Sequence, residues 1–248
     1  MYSKSKFIKR NVEIISLIYK SLDYLDLIYT ELNKPYCTIE GWDVGIRLIA
    51  NDATPEVLSH LKTLDIPYTI YNDLDPNAYY MNRVYRAYNF AARTSTYDNL
   101  CFINSDMVFS KNWLSNLMKH HDGNNIPTSR LVESGKMESG KYGISLNCGR
   151  HPKQIDYSMW ESASTQFSVD EVHEGGLYMP CVFDKTRFMQ TGMYPEGNIY
   201  QDGVGTLNGF VEPGDRWYFR MLENEHGMKH VTVFDSLVYH VQEGEKGS

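Results

Sequence analysis

The feature that most constrains the fold is a repeated alternation of strand-like and helix-like segments over the first half of the chain. Apolar, β-rich segments are followed by segments whose apolar residues recur at helical spacing. At one junction Thr54 is placed to cap a helix and Pro55 to open it. This alternation predicts an α/β fold with a mostly parallel central sheet and right-handed crossovers. The predicted strands are 12–18, 45–50, 67–71 and 100–103, and the predicted helices are 23–32, 55–64 and one with a face formed by Met81, Val84, Tyr85, Tyr88 and Ala92.

The second half of the chain has a less regular pattern. Residues 122–140 are rich in Gly, Asn and Ser, which favours a mobile or surface segment. The chain has 248 residues and no internal repeat, so we expect a single domain over 1–248. Strands are predicted over 142–147 and 177–183, a helix over 216–225, and one or two strands over 231–239.

Charge and hydropathy argue against several classes of protein. The net charge of −7 argues against a broad electrostatic contact with nucleic acid, which needs clustered Lys and Arg. The one basic cluster lies at the N-terminus, where a solvated leader is favoured over a surface that binds anions. No apolar run approaches the roughly 20 residues needed to span a bilayer, so we expect a soluble, cytoplasmic protein. The basic cluster at the N-terminus consists of Lys4, Lys6, Lys9 and Arg10.

The most informative short motif is Asn104-Ser105-Asp106, which directly follows the predicted strand 100–103. The carboxyl end of a strand is where open α/β sheets hold phosphates and the accompanying metal. An ordinary turn aspartate is the alternative for an isolated triplet of this kind. The four cysteines form no CxxC pair, so neither a zinc site nor a disulfide framework is indicated.

Five segments together resemble one known family. They are residues 14–20 (IISLIYK), 49–54 (IANDAT), Asn89 with the triplet 104–106, residues 214–220 (GDRWYFR) with 227–229 (GMK), and residues 238–240 (VYH). The family is the family-2-type glycosyltransferases with the GT-A fold, which transfer sugars from nucleotide diphosphate donors. The resemblance covers most of the chain. It implies a nucleotide-binding half over 1–110 and an acceptor-binding, catalytic half over 141–248.

The resemblance also assigns the residues that bind the donor. Asn89 precedes Asn104 by 15 residues, the interval found in the family. Tyr88 replaces the family arginine beside that position, and Arg83 and Arg86 are the candidates to take over its role. The implied donor-binding residues are Ser16, Ile18, Tyr19, Asp52, Asn89, Asn104, Ser105 and Asp106.

Metal and base follow from the same resemblance. Asn104 replaces the first aspartate of the family DxD motif, which leaves Asp106 as the main carboxylate for Mn²⁺ or Mg²⁺. His240 and the donor diphosphate would complete the metal shell. Asp215, at the start of a predicted amphipathic helix, is the implied catalytic base, and a plain helix cap is the alternative. Glu212 and Asp202 are the other candidates if the loop is shifted.

The expected function is therefore metal-dependent, inverting sugar transfer from a nucleotide diphosphate donor, with a UDP-sugar as the expected donor. The expected acceptor is a hydroxyl of a glycan or a lipid-linked saccharide. Transfer to a modified nucleic-acid base or a protein remains open, as does a catalytically degenerate nucleotide-sugar binder, because Asn104 replaces an aspartate. A nucleotidyltransferase is disfavoured because residues 16–25 contain no glycine to form a phosphate loop.

Overall fold

The computed structural model describes residues 10–75 and 77–242. Lys4, Lys6 and Lys9, for which a solvated leader is predicted, lie outside these residues. The strands are β1 (Asn11–Ile18), β2 (Asp43–Asn51), β3 (Tyr68–Tyr71), β4 (Asn99–Ile103), β5 (Met107–Phe109), β6 (Asn125–Glu133), β7 (Ile144–Ser145), β8 (Val172–Glu174), β9 (Cys181–Asp184), β10 (Ile199–Tyr200), β11 (Gly203–Val204), β12 (Phe210–Glu212) and β13 (Lys229–His240). The helices are α1 (Leu22–Leu32), α2 (Pro55–Leu61), α3 (Tyr80–Thr94), α4 (Trp113–Lys119), α5 (Tyr157–Phe167), α6 (Lys185–Gln190) and α7 (Gly214–His226), with 3₁₀ turns at Pro35–Cys37 and Pro152–Gln154.

One large mixed sheet organises the chain. Its strand order is β3-β2-β1-β4-β9-β6-β13-β5, with β7 paired to β6 and β8 paired to β13. The first four strands are parallel, whereas β9 joins β4 and β6 in antiparallel pairs. A small second sheet has the order β11-β10-β12 and directly precedes α7. The mostly parallel sheet predicted from the sequence is thus present, with antiparallel strands in its second half.

The alternation predicted for the first half is confirmed, and local chemistry explains its boundaries. Thr54 caps α2 by accepting a hydrogen bond from the Val57 N–H, and Pro55 occupies the first turn. Ser21 caps α1 in the same way through the Tyr24 N–H. Both caps satisfy backbone donors that a helix N-terminus leaves without partners.

The prediction that residues 122–140 form a mobile or surface segment is wrong for their central part. Strand β6 lies inside the sheet between β9 and β13 and is largely buried. Its polar residues misled the sequence interpretation because their partners are distant in the chain. Thr128 donates to the Val231 carbonyl at 3.2 Å, and the hydroxyls of Ser129 and Ser236 are 2.8 Å apart. Buried hydroxyls with partners are compatible with a core strand.

Other predicted strands in the second half have different bounds. Only Ile144–Ser145 of 142–147 is a strand, and the strand predicted from 177 begins at Cys181. Residues 231–239 belong to a single strand, β13.

Gly176, which lies between β8 and β9, packs closely against β13. It has φ +134°, and an added Cβ would lie 1.8 Å from the Thr232 Oγ1. Glycine is required there by both backbone conformation and close approach.

Hydrophobic packing covers both faces of the sheet. One cluster joins β1 and β2 to α1, α2 and α4, and a second joins α3, α6 and α7 to β4 and β9. All four cysteines are buried free thiols. Within residues 10–75 and 77–242, no helix has the length and apolar character needed to cross a bilayer.

Candidate active site

A cavity of about 780 Å³ opens at the carboxyl ends of β1, β2 and β4. The end of β13 and the first turn of α7 complete its wall. Ligands of open α/β sheets bind at this edge, outside the carboxyl ends of the strands. Seven of the predicted site residues line the cavity, namely Tyr19, Asp52, Asn104, Ser105, Asp106, Asp215 and His240.

Ser16 and Ile18 do not line the cavity, contrary to their assignment as donor-binding residues. Both are fully buried, and Ile18 packs in the core beside α1. Side chains alternate between the two faces of a strand, so the neighbouring Leu17 and Tyr19 face the cavity instead.

Asn89 is also placed away from the cavity, in a structural position. Its Nδ2 donates to the Tyr194 carbonyl at 2.8 Å, and its Oδ1 accepts from the Tyr194 N–H at 3.1 Å. With both ends of the amide in use, Asn89 ties α3 to the segment after α6. The 15-residue spacing therefore identifies a position in the fold and does not identify a ligand contact in this chain.

Three charged side chains meet at the end of β13. The His240 Nε2 lies 3.2 Å from the Asp106 Oδ2, and its Nδ1 lies 3.1 Å from the Glu133 Oε1. The sheet produces this contact, because His240 is in register with Glu133 on β6 and with Met107 on β5. Asp106 directly precedes β5 and is therefore carried to the same point.

The two carboxylates determine the charge of the imidazole. Burial alone would lower the pKa of His240, but Asp106 and Glu133 outweigh it and raise the pKa to about 10. Burial alone would raise the pKa of Glu133, but contact with His240 holds it below the usual value. Glu133 also selects which ring nitrogen faces Asp106, since its carboxylate accepts the Nδ1 proton.

These donors fit a divalent cation that takes few ligands from the protein. Asp106 offers a carboxylate, and the adjacent His240 offers its Nε2 once a cation displaces the proton on that nitrogen. A carboxylate on the far nitrogen, here Glu133, is a common support for a ligating histidine. Among the residues that the structure describes, no group of three His, Cys, Asp or Glu side chains is arranged to hold a metal. Mg²⁺ and Mn²⁺ sites in phosphate-binding proteins use such sparse protein shells, with phosphate oxygens and water as the other ligands.

The opposite end of the cavity is formed by Asp52 and its neighbours. Asp52 has φ +48°, and its Oδ1 accepts the Asp73 N–H at 2.9 Å. The Arg83 Nη1 lies 3.4 Å from the Asp52 Oδ2, and the Arg83 guanidinium lies 5.6 Å from the centre of the Tyr19 ring. Asn51 also lines this end, but its Oδ1 is buried and has no hydrogen-bond partner among the described residues.

Of the two arginines considered as replacements for the family arginine, only Arg83 lines the cavity. Arg86 instead binds the carboxylates of Asp73 at 2.9 Å and Glu196 at 3.3 Å. Arg83 is therefore the one of these two arginines that is placed to contact a ligand at this end.

Asp215 lies at the third point of the cavity, as the second residue of α7. The helix cap is Pro213, so the alternative of a plain N-cap aspartate does not apply. Burial raises the pKa of Asp215, although hydrogen bonds from the Arg216 N–H and the Tyr85 hydroxyl act in the opposite direction. A partly desolvated carboxylate at a cavity wall is suited to accept a proton.

The two alternative bases are engaged elsewhere and do not line the cavity. Glu212 forms an ion pair with Arg220, and Asp202 accepts a hydrogen bond from the Asn208 amide in an exposed loop.

The cavity is also lined by residues that were not predicted as site residues from the sequence, among them Glu133, Asn51 and Tyr85. Glu133 is the last residue of β6, a strand that the sequence pattern did not predict. Nothing in the sequence near Glu133 therefore indicated its pairing with His240. Asn51 lies beside Asp52 and could have been found from the same motif. Tyr85 was assigned only to the apolar face of α3, because nothing in the sequence shows where its hydroxyl points.

Comparison with known proteins supports the fold and not a family. No family model matches the sequence, and no curated protein sequence matches it either. Solved structures do match, among them GalNAc-T7 with UDP, GalNAc and Mn²⁺, with a TM-score of 0.59 and 11% identity over 95% of this chain and 44% of that one.

A second match is the mannosyltransferase PcManGT from Pyrobaculum calidifontis in complex with GDP-Man and Mn²⁺. Its TM-score is 0.55, with 14% identity over 95% of this chain and 58% of that one. The chain thus spans about half the length of these structural neighbours. The likeness shows that the chain has the GT-A fold, as the sequence predicted.

Proposed function

We propose that this protein is a metal-dependent glycosyltransferase that moves a sugar from a nucleotide diphosphate donor to an acceptor hydroxyl with inversion at the anomeric carbon. The observation that carries the proposal is one cavity with three functional points. Asp52 with Arg83 lies at one end, Asp106 with His240 lies at the strand ends, and Asp215 lies at α7. The GT-A fold, shared with structures that hold UDP or GDP-Man and Mn²⁺, supports this assignment.

The donor is expected to lie along the carboxyl ends of β1, β2 and β4, with residues 1–110 forming most of its site and residues 141–248 the acceptor side. Asp52 presents an acceptor oxygen to the N–H of a base, and Arg83 presents donors. Uracil has an N–H between two carbonyl oxygens, which suits this combination, so a UDP-sugar is the proposed donor.

Asp106 and His240 would hold Mn²⁺ or Mg²⁺, while Glu133 keeps the His240 Nε2 directed toward Asp106. When bound, the metal offsets the negative charge that develops on the departing diphosphate. Lys20 and Arg83 also line the cavity and add positive charge for the same group.

Asp215 would accept the proton of the acceptor hydroxyl as that oxygen attacks the anomeric carbon and the bond to the diphosphate breaks. A base acting directly on the acceptor implies single displacement, and hence inversion. The proposed acceptor is a glycan or a lipid-linked saccharide, because the acidic chain disfavours nucleic acid.

The test is slow donor hydrolysis, in which water takes the place of the acceptor. UDP-glucose, UDP-galactose, UDP-N-acetylglucosamine and GDP-mannose are each incubated with the protein and Mn²⁺, and the first-formed sugar is followed by proton NMR. Release of the anomer opposite to that of the donor supports the proposal. Release of the same anomer contradicts inversion, and binding of a donor without any turnover favours the nucleotide-sugar binder left open by Asn104.

A further inference from the structure

Tyr85, which lies on a different helix, contacts Asp215, the residue proposed as the base. Tyr85 lies on α3, is 1% exposed, and its hydroxyl accepts the Asp215 N–H at 3.0 Å. Contact with the same hydroxyl also acts to lower the pKa of the Asp215 carboxyl. A tyrosine hydroxyl has one donor and two acceptor positions, so both contacts are possible at once, with the proton directed to the carboxylate.

The beginning of α7 is built to receive this contact. Pro213 provides no side-chain cap for α7. The first two backbone N–H groups of the helix, which have no partner within it, instead donate to side chains of other segments. The Gly214 N–H donates to the Asn198 Oδ1 at 3.1 Å, and the Asp215 N–H donates to Tyr85. A Cβ on Gly214 would lie 2.8 Å from the Tyr85 Cε2 and 2.5 Å from the Gly197 carbonyl oxygen, so glycine permits the close approach of the ring.

Packing fixes the Tyr85 ring independently of Asp215. Its ring centre lies 5.5 Å from that of Tyr194, which in turn packs 5.1 Å from Tyr218 on α7. The hydroxyl is therefore presented from a closely packed aromatic cluster.

We propose that Tyr85 is a positioning residue, which holds Asp215 at the cavity wall through its hydroxyl, the acceptor of the Asp215 N–H. The catalytic part of this inference rests on the proposed function of Asp215 as the base. The contact itself does not depend on that function and can be measured separately.

The effect of Tyr85 on the pKa of Asp215 can be distinguished from the effects of the other groups near Asp215. Besides Tyr85, they are Arg216 on α7, Tyr178 and Cys181 at β9, and Tyr194 after α6. Burial raises the pKa of Tyr178, Cys181 and Tyr194, so these three stay neutral while the Asp215 carboxylate titrates. Loss of the Tyr85 donor therefore moves the pKa of Asp215 in one direction, upward.

The experiment compares Tyr85→Phe with Tyr218→Phe. Tyr218 is also buried, and its hydroxyl lies 2.7 Å from the Thr191 Oγ1, so its loss matches the cost in stability without touching Asp215. The Asp215 carboxyl is titrated by carbon NMR on protein labelled at aspartate, with the Asp215→Asn variant assigning the signal. We expect Tyr85→Phe to raise this pKa by about one unit and Tyr218→Phe to leave it unchanged.

The kinetic readout uses the panel donor that is hydrolysed fastest. Tyr85→Phe should lower kcat about tenfold with KM unchanged, and the acid limb of the pH profile should move to higher pH by the same shift as the NMR titration. An unchanged carboxyl pKa in Tyr85→Phe overturns the proposal for Tyr85. A shifted pKa together with full turnover by Asp215→Asn instead overturns Asp215 as the base and leaves the Tyr85 contact intact.

Discussion

Among single residues, Asp215 matters most for the proposed reaction, because it is the proposed acceptor of the acceptor-hydroxyl proton. Replacing it by Asn keeps the shape of the side chain and removes the proton acceptor. We expect kcat for sugar release to fall by about 10²- to 10⁴-fold, the usual contribution of a general base. UDP binding measured by calorimetry should stay within twofold of the unmodified protein, because the nucleotide is proposed to contact Asp52, Arg83 and the metal at Asp106 and not Asp215. Equal loss of binding and turnover would contradict its role as the base.

Arg83 provides a second test at the residue scale. It is the arginine of α3 that faces the cavity beside Asp52 and Tyr19. Arg83→Ala should weaken UDP binding about tenfold, because hydrogen bonds from charged groups are stronger than neutral ones. Arg93→Ala is the matched control, since Arg93 is exposed at the end of the same helix. Equal effects of the two changes in calorimetry would show that Arg83 acts through the stability of α3 alone.

At the scale of elements, the first half of the fold was predictable because each strand and helix carries its own signal. Thr54 and Pro55 marked the start of α2, and the apolar periodicity of α3 was visible without tertiary information. Strand β6 was not predictable, since Thr128 and Ser129 are polar and their partners lie more than 100 residues away. Glu133 was missed with it, as was the structural use of Asn89, because only the sheet register and the Tyr194 contact reveal them.

Strand β6 therefore gives a prediction of its own. The Thr128 hydroxyl lies 3.1 Å from the His230 Nε2 and donates to Val231 at 3.2 Å, fully buried. Thr128→Val keeps the volume and should lower the free energy of unfolding by about 1–3 kcal/mol, the cost of a lost buried hydrogen bond. Urea denaturation measures this change. Thr165→Val, on the exposed side of α5, should stay within about 0.5 kcal/mol, and a similar loss in both variants would contradict the core position of β6.

At the scale of the whole molecule, two buried histidines contribute to the response of stability to acid. Burial lowers the pKa of His121 and of His230 to about 4, below their ordinary value near 6.5. Between about pH 6.5 and 4 the unfolded chain binds protons that the folded chain does not, so stability falls as the pH falls. Each histidine contributes up to about 1.4 kcal/mol per pH unit in that window.

The check is urea denaturation at pH 7 and pH 5 for the unmodified protein and for His230→Gln, which stays neutral at both. The variant should lose less stability between the two pH values than the unmodified protein. An identical loss would show that His230 is not a source of the acid sensitivity.

Isothermal titration calorimetry shows whether the cavity binds a nucleotide diphosphate through a metal at Asp106. UDP, GDP, CDP and TDP are titrated into the protein with Mn²⁺ and again with EDTA. The account predicts that UDP binds with Mn²⁺ and loses most of its affinity with EDTA, and that Asp106→Ala binds UDP equally weakly in both conditions. Absence of binding by all four nucleotides in the presence of Mn²⁺, or UDP binding that is indifferent to EDTA, would contradict it.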